Sequence, residues 1–128
     1  MDQYKVIFHL DEPSKGRADQ VLTNITNLLN DLGDEHVQVE LLANGGGVRA
    51  LTRATSEQPG QEGQADADEP AKTIQALAKR GVRFVACQNS LNHLNIPRED
   101  LLDMVEVVPA GVSELVIKQS QGWAYIRP

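Results

Sequence analysis

A chain of 128 residues has the length of one ordinary domain, and it can bury roughly two thirds of its unfolded surface without a disulfide or metal staple. Eighteen acidic against 12 basic residues give a formal charge of −6, and the basic residues form no run and no aromatic-interleaved patch, which argues against a nucleic-acid partner. The first residues lack the basic-then-apolar order of a secretory signal, no apolar stretch is long enough to span a bilayer, and a single cysteine suits a reducing compartment. A cytoplasmic protein without a membrane partner is the expectation.

Lys5 to Leu10 is almost continuously apolar, the pattern of a central strand covered on both faces. Val21, Leu22, Ile25, Leu28, Leu29 and Leu32 then recur at helical spacing, and Gly33 is placed to stop the helix. Val37 to Leu42 predicts a second strand, closed by Asn44-Gly45-Gly46-Gly47. A glycine-rich turn ahead of Val48 to Arg53 resembles a βα turn whose amides cradle an anion, although glycines also serve only to permit tight turns and close packing. The run lacks a dinucleotide fingerprint and the lysine of a phosphate loop.

Residues 56–69 contain no large apolar side chain and predict a flexible insertion within a single domain spanning 1–128. Pro70 suits a helix start, Ile74, Leu77 and Ala78 give it an apolar face, and Lys79-Arg80-Gly81 gives it a stop. Val82 to Cys87 predicts a third strand, and Ser90 is placed to cap a short helix over Leu91 to Asn95. Met104 to Val108 predicts a fourth strand, closed by Pro109-Ala110-Gly111. Val112, Leu115, Val116 and Gln119 share one face of a final helix, and Trp123 to Ile126 predicts a fifth strand. This alternation is that of a parallel sheet with helices on both faces.

In such a sheet the strand ends converge on one edge, bringing together the turns that begin at His9, Ala43, Cys87 and Pro109. The chemically capable residues there are Cys87, His93, Asn44, Asn89, Ser90 and His9. A thiol just ahead of a helix start is favoured as thiolate, the nucleophilic form. Free cysteine is also among the most commonly buried residue types, so a packed, structural Cys87 is the competing reading. His93 suits a general base, a hydrogen-bond partner or a surface residue, and His9 suits a buried, satisfied histidine. The spacing of Cys87, His93 and His9 is not that of a zinc site, and no metal is expected.

Taken in order, Lys5 to Leu10, Leu42-Ala43-Asn44-Gly45, Gly47-Val48, Leu51, Arg80-Gly81-Val82 and Ala86-Cys87-Gln88-Asn89-Ser90-Leu91 resemble the DsrE/DsrF-like family of small sulfur-handling proteins. Val108-Pro109-Ala110-Gly111-Val112, Leu115, Gln119, Gly122-Trp123 and Tyr125-Ile126 extend the resemblance to the end of the chain. It implies a three-layer α/β/α fold with a five-stranded parallel sheet in which the last strand lies beside the first, on the side away from the second. It also implies a homo-oligomer, a trimer or hexamer, and a cysteine at the position of Cys87 that carries sulfane sulfur as a persulfide. Sulfur donor and acceptor proteins would be the partners, Asn44, Gly45, Asn89, Ser90 and His93 would line the site, and no dissociable cofactor would be needed. The alternative is a non-catalytic oligomeric binding or regulatory module.

Overall fold

The computed structural model describes residues 3–53 and 68–128. Five strands form one parallel sheet in the order β4-β3-β2-β1-β5: β1 (Tyr4–Leu10), β2 (Val37–Ala43), β3 (Arg83–Cys87), β4 (Glu106–Val108) and β5 (Ala124–Ile126). Four helices connect them: α1 (Lys15–Leu32), α2 (Asp68–Lys79), α3 (Gln88–His93) and α4 (Gly111–Ser120). The expected α/β/α architecture and the place of β5 beside β1 are both present.

Connection handedness decides which layer each helix joins. From β1 to β4 the chain steps across the sheet in one direction, and right-handed crossovers keep those connections on one face. The step from β4 to β5 runs back across the whole sheet, so the same handedness places α4 on the other face. The first face holds the main core: Val6, Phe8, Leu10, Val39, Leu41, Phe84 and Ala86 under Val21, Ile25 and Leu29 of α1 and Ile74 and Leu77 of α2. The second core is small, with Ile7, Leu42 and Val85 beneath Val108, Leu115 and Trp123.

Several boundaries differ from the sequence reading. The expected insertion at 56–69 lies outside the described residues, except that α2 opens at Asp68 rather than Pro70. The stretch after Asn44 is a 3-10 helix over Gly45–Leu51. Any side chain at Gly47 would bring its Cβ within 2.1 Å of the Leu10 carbonyl oxygen, so this glycine permits the turn to close against the end of β1. The fourth strand begins at Glu106, two residues later than its apolar run suggests.

The largest departure is α4. Its inward face is Gly111, Glu114, Leu115 and Lys118, while Val112, Val116 and Ile117 are exposed. Of the stripe Val112, Leu115, Val116 and Gln119, only Leu115 packs inward, and the other three face outward. The reason lies beneath the helix, where Glu40 of β2 is completely buried. Its Oε1 accepts from Arg83 Nη1 at 3.1 Å and lies 3.8 Å from Lys118 Nζ, which in turn lies 3.6 Å from Glu114. Glu114 of α4 closes over Glu40, and two carboxylates brought together in a buried site repel, which favours a proton on one of them. Glu40 Oε2 is buried without a hydrogen-bond partner among the described residues, where a full negative charge would be poorly compensated.

Burial, followed by the neighbouring Glu114 carboxyl, pushes the Glu40 carboxyl up to about 8, with Arg83 and Lys118 opposing. In the unfolded chain it titrates near its ordinary value of 4.5. Between these limits the folded state holds a proton that the unfolded state has lost. Its contribution to stability is therefore full below the lower value, declines as pH rises, and is gone above the upper one. Thermal unfolding midpoints should fall from about pH 5 to about pH 8, and Glu40→Gln, neutral throughout, should flatten that decline in calorimetry; an unchanged slope in the variant would exclude a proton held on Glu40.

Candidate functional site

Cys87 is the last residue of β3 and the N-cap of α3, in extended conformation, with only 5% of its surface exposed. The chain leaves β3 for one face of the sheet and leaves β4 for the other, so the crevice between these two strand ends is a topological switch point. Gly111, the first residue of α4, sits there and its amide donates to Cys87 Sγ at 3.2 Å. That approach needs glycine. A Cβ on residue 111 would lie 3.2 Å from Asn44 Cβ, 3.3 Å from Cys87 Cβ and 3.4 Å from Asn44 Nδ2.

Ser90 does not cap α3, because the helix starts at Gln88, three residues earlier than its position requires. Its hydroxyl oxygen instead accepts from the Gly45 amide at 2.7 Å, tying α3 to the turn after β2. That bond uses the oxygen as acceptor and leaves the single hydroxyl proton free beside Cys87. Burial pushes the thiol up, but the Ser90 hydroxyl and the amides of Gly111, Ser90 and Asn89 outweigh it and hold the thiol below its ordinary value. The bond from Gly111 is the fully formed one; the donors at the start of α3 face the sulfur with looser geometry.

Asn44 stands between this sulfur and a residue that the sequence reading set aside. His9, half-buried at the end of β1, bonds Asn44 Oδ1 through Nε2 at 2.8 Å and the Tyr125 hydroxyl through Nδ1 at 2.6 Å. The satisfied histidine was legible from its place inside an apolar run; its partners were not, because Tyr125 lies 116 residues away. The Asn89 side chain is exposed, and the residue serves the sulfur through its backbone. His93 ends α3, exposed and without a side-chain hydrogen bond among the described residues. The glycine turn is largely closed to an anion, since Gly45 N is bonded to Ser90 and Gly47 N to the Asn44 carbonyl. Among the described residues no three metal-ligating side chains come together.

The sequence profile of the DsrE/DsrF-like family matches residues 5–128. The chain belongs to this family. A solved structure from Methanobacterium thermoautotrophicum, the protein of unknown function MTH1491, is 37% identical with a TM-score of 0.81, over 98% of this chain and 100% of that one. The ychN protein of E. coli superposes with a TM-score of 0.75 at 16% identity, over 98% and 100% of the two chains. BT1422 of Bacteroides thetaiotaomicron, also of unknown function, gives 0.67 at 13% identity over 97% and 94%. The last two likenesses show the fold alone. Comparison with curated proteins finds no match.

These contacts make Ser90 a direct support of the thiolate. Ser90→Ala should slow alkylation of native Cys87 at neutral pH by about three- to tenfold, the worth of one hydrogen bond to an anion, and move the ultraviolet thiolate titration to higher pH. An unchanged titration would remove the hydroxyl from the site.

Proposed function

We propose that the chain carries sulfane sulfur as a persulfide on Cys87 and relays it between protein thiols in the cytoplasm. The observation that carries this reading is the cysteine at the end of β3 with the Gly111 amide donating to its sulfur at 3.2 Å, an arrangement that lowers the thiol although it is buried. A packed, inert cysteine in apolar surroundings is pushed the other way. Family membership supports a role related to sulfur relay.

The chemistry balances without an oxidant. The Cys87 thiolate attacks the outer sulfur of a donor persulfide, forming a new S–S bond. The donor S–S bond breaks, and the donor leaves as a thiolate with the electron pair. An acceptor thiolate discharges Cys87 by the same exchange. The sequence contains no second cysteine, so the chain cannot resolve its own persulfide as an internal disulfide, and the acceptor thiol must come from another molecule. Gly111 N, Ser90 and the start of α3 stabilise the sulfur anion that exists before loading and after discharge. Asn44 and Gly45 form the opposite wall, and Asn89 and His93 lie on the exposed side where a partner would approach.

The working form is a homo-oligomer, a trimer or hexamer as the family resemblance implies. Exposed Val112, Val116 and Ile117 on α4, and exposed Tyr125 and Ile126 on the edge strand β5, supply apolar side chains suited to contact with a second copy. A binding or regulatory module with a structural Cys87 is the second reading, favoured by the slight exposure of the thiol.

Incubation with a small-molecule polysulfide or a persulfidated donor protein should add one sulfur atom to the intact mass, with no addition in Cys87→Ser. A native thiol that reacts only after unfolding would favour the structural module. Light scattering should give three or six times the 14.0 kDa of one chain, and Val116→Glu should lower that mass without lowering helicity; a monomeric wild type would overturn the assembly.

A further inference from the structure

We propose that His9 is a positioning residue for Cys87, acting through the side-chain amide of Asn44. The inference rests on the reading that Cys87 is the working thiol. An amide oxygen only accepts, so the 2.8 Å bond to Asn44 Oδ1 places the hydrogen on His9 Nε2. In the neutral ring Nδ1 is then the acceptor for the Tyr125 hydroxyl, 2.6 Å away. A phenol is a stronger donor than acceptor, so the Tyr125 hydroxyl favours the tautomer with Nδ1 accepting, and the ring so set favours the oxygen end of the Asn44 amide on Nε2.

The end left facing inward is the donor. Asn44 Nδ2 and Cys87 Cβ both border the small space left by the missing side chain of Gly111, where a Cβ would lie 3.4 Å from one and 3.3 Å from the other. An N–H edge beside this space favours a sulfur anion, whether the bare thiolate or the terminal sulfur of a persulfide. A half-turn of the amide would present the carbonyl oxygen instead and oppose the same charge. Without His9 the two orientations differ little in what holds them. His9 therefore sets the sign of the dipole facing the sulfur, although it touches neither Cys87 nor a bound sulfur atom.

The test is the pH profile of iodoacetamide alkylation of Cys87 in the full chain. His9→Ala and Asn44→Ala should each shift the inflection to higher pH and slow the reaction at neutral pH by about threefold, the effect of losing a favourable N–H dipole near the sulfur and less than that of a formed hydrogen bond. The double variant should be no slower than the slower single variant, because His9 acts through Asn44. His9→Gln, with an amide N–H able to reach Oδ1, should recover part of the rate. Additive losses in the double variant, or an unshifted profile in His9→Ala, would overturn the proposal. If His9→Ala does not fold, Tyr125→Phe removes one exposed hydroxyl: a loss that vanishes in the Asn44→Ala background supports the proposal, and no loss overturns it. Sulfur loading followed by mass in the same samples separates the two readings. Coupling without loading leaves the positioning role and removes sulfur relay; loading without coupling does the reverse.

Discussion

The return of the chain from β4 to β5 across the full width of the sheet is the constraint on which this structure turns. Right-handedness leaves α4 one place to go, the face opposite α1 and α2. There it brings Gly111 against Cys87, lays Glu114 and Lys118 over Glu40, and turns three apolar side chains outward. The contact to the thiol, the buried charge and an exposed apolar stripe thus meet on one ten-residue helix.

That helix is unusual in carrying charge inward. A buried carboxyl is expensive to ionise, and the protein holds Glu40 protonated by pairing it with a second carboxyl, while Arg83 and Lys118 limit how far its titration rises. The polar band lies under the middle of α4, and the sulfur site lies at its first residue. Between them Leu42 and Val85, covered by Leu115, keep the two regions apart with an apolar layer.

The sulfur site itself is assembled from four strand ends with little help from any one segment. β3 supplies the thiol, β2 supplies Asn44 and the Gly45 turn, β1 supplies His9, and the turn after β4 supplies Gly111. The anion-cradle reading of the glycine run gives way to a packing role: Gly47 lets its turn close on Leu10, and the amide of Gly45 orients Ser90. Ser90 shows the same shift from local to tertiary duty. Its sequence position suggests a helix cap, but the helix begins earlier and its hydroxyl bridges two loops.

By itself, the sequence determined the alternation of elements, the parallel sheet, the strand-end position of Cys87 and the satisfied state of His9, because these depend on apolar runs, breakers and short spacings. Tertiary structure alone decided the inverted face of α4, since helical periodicity cannot reveal that Glu40 waits beneath it. It also decided the partners of His9 and Cys87. Tyr125 and Gly111 reach them only after a crossover has returned the chain to the far side of the sheet, and no local pattern records such a contact.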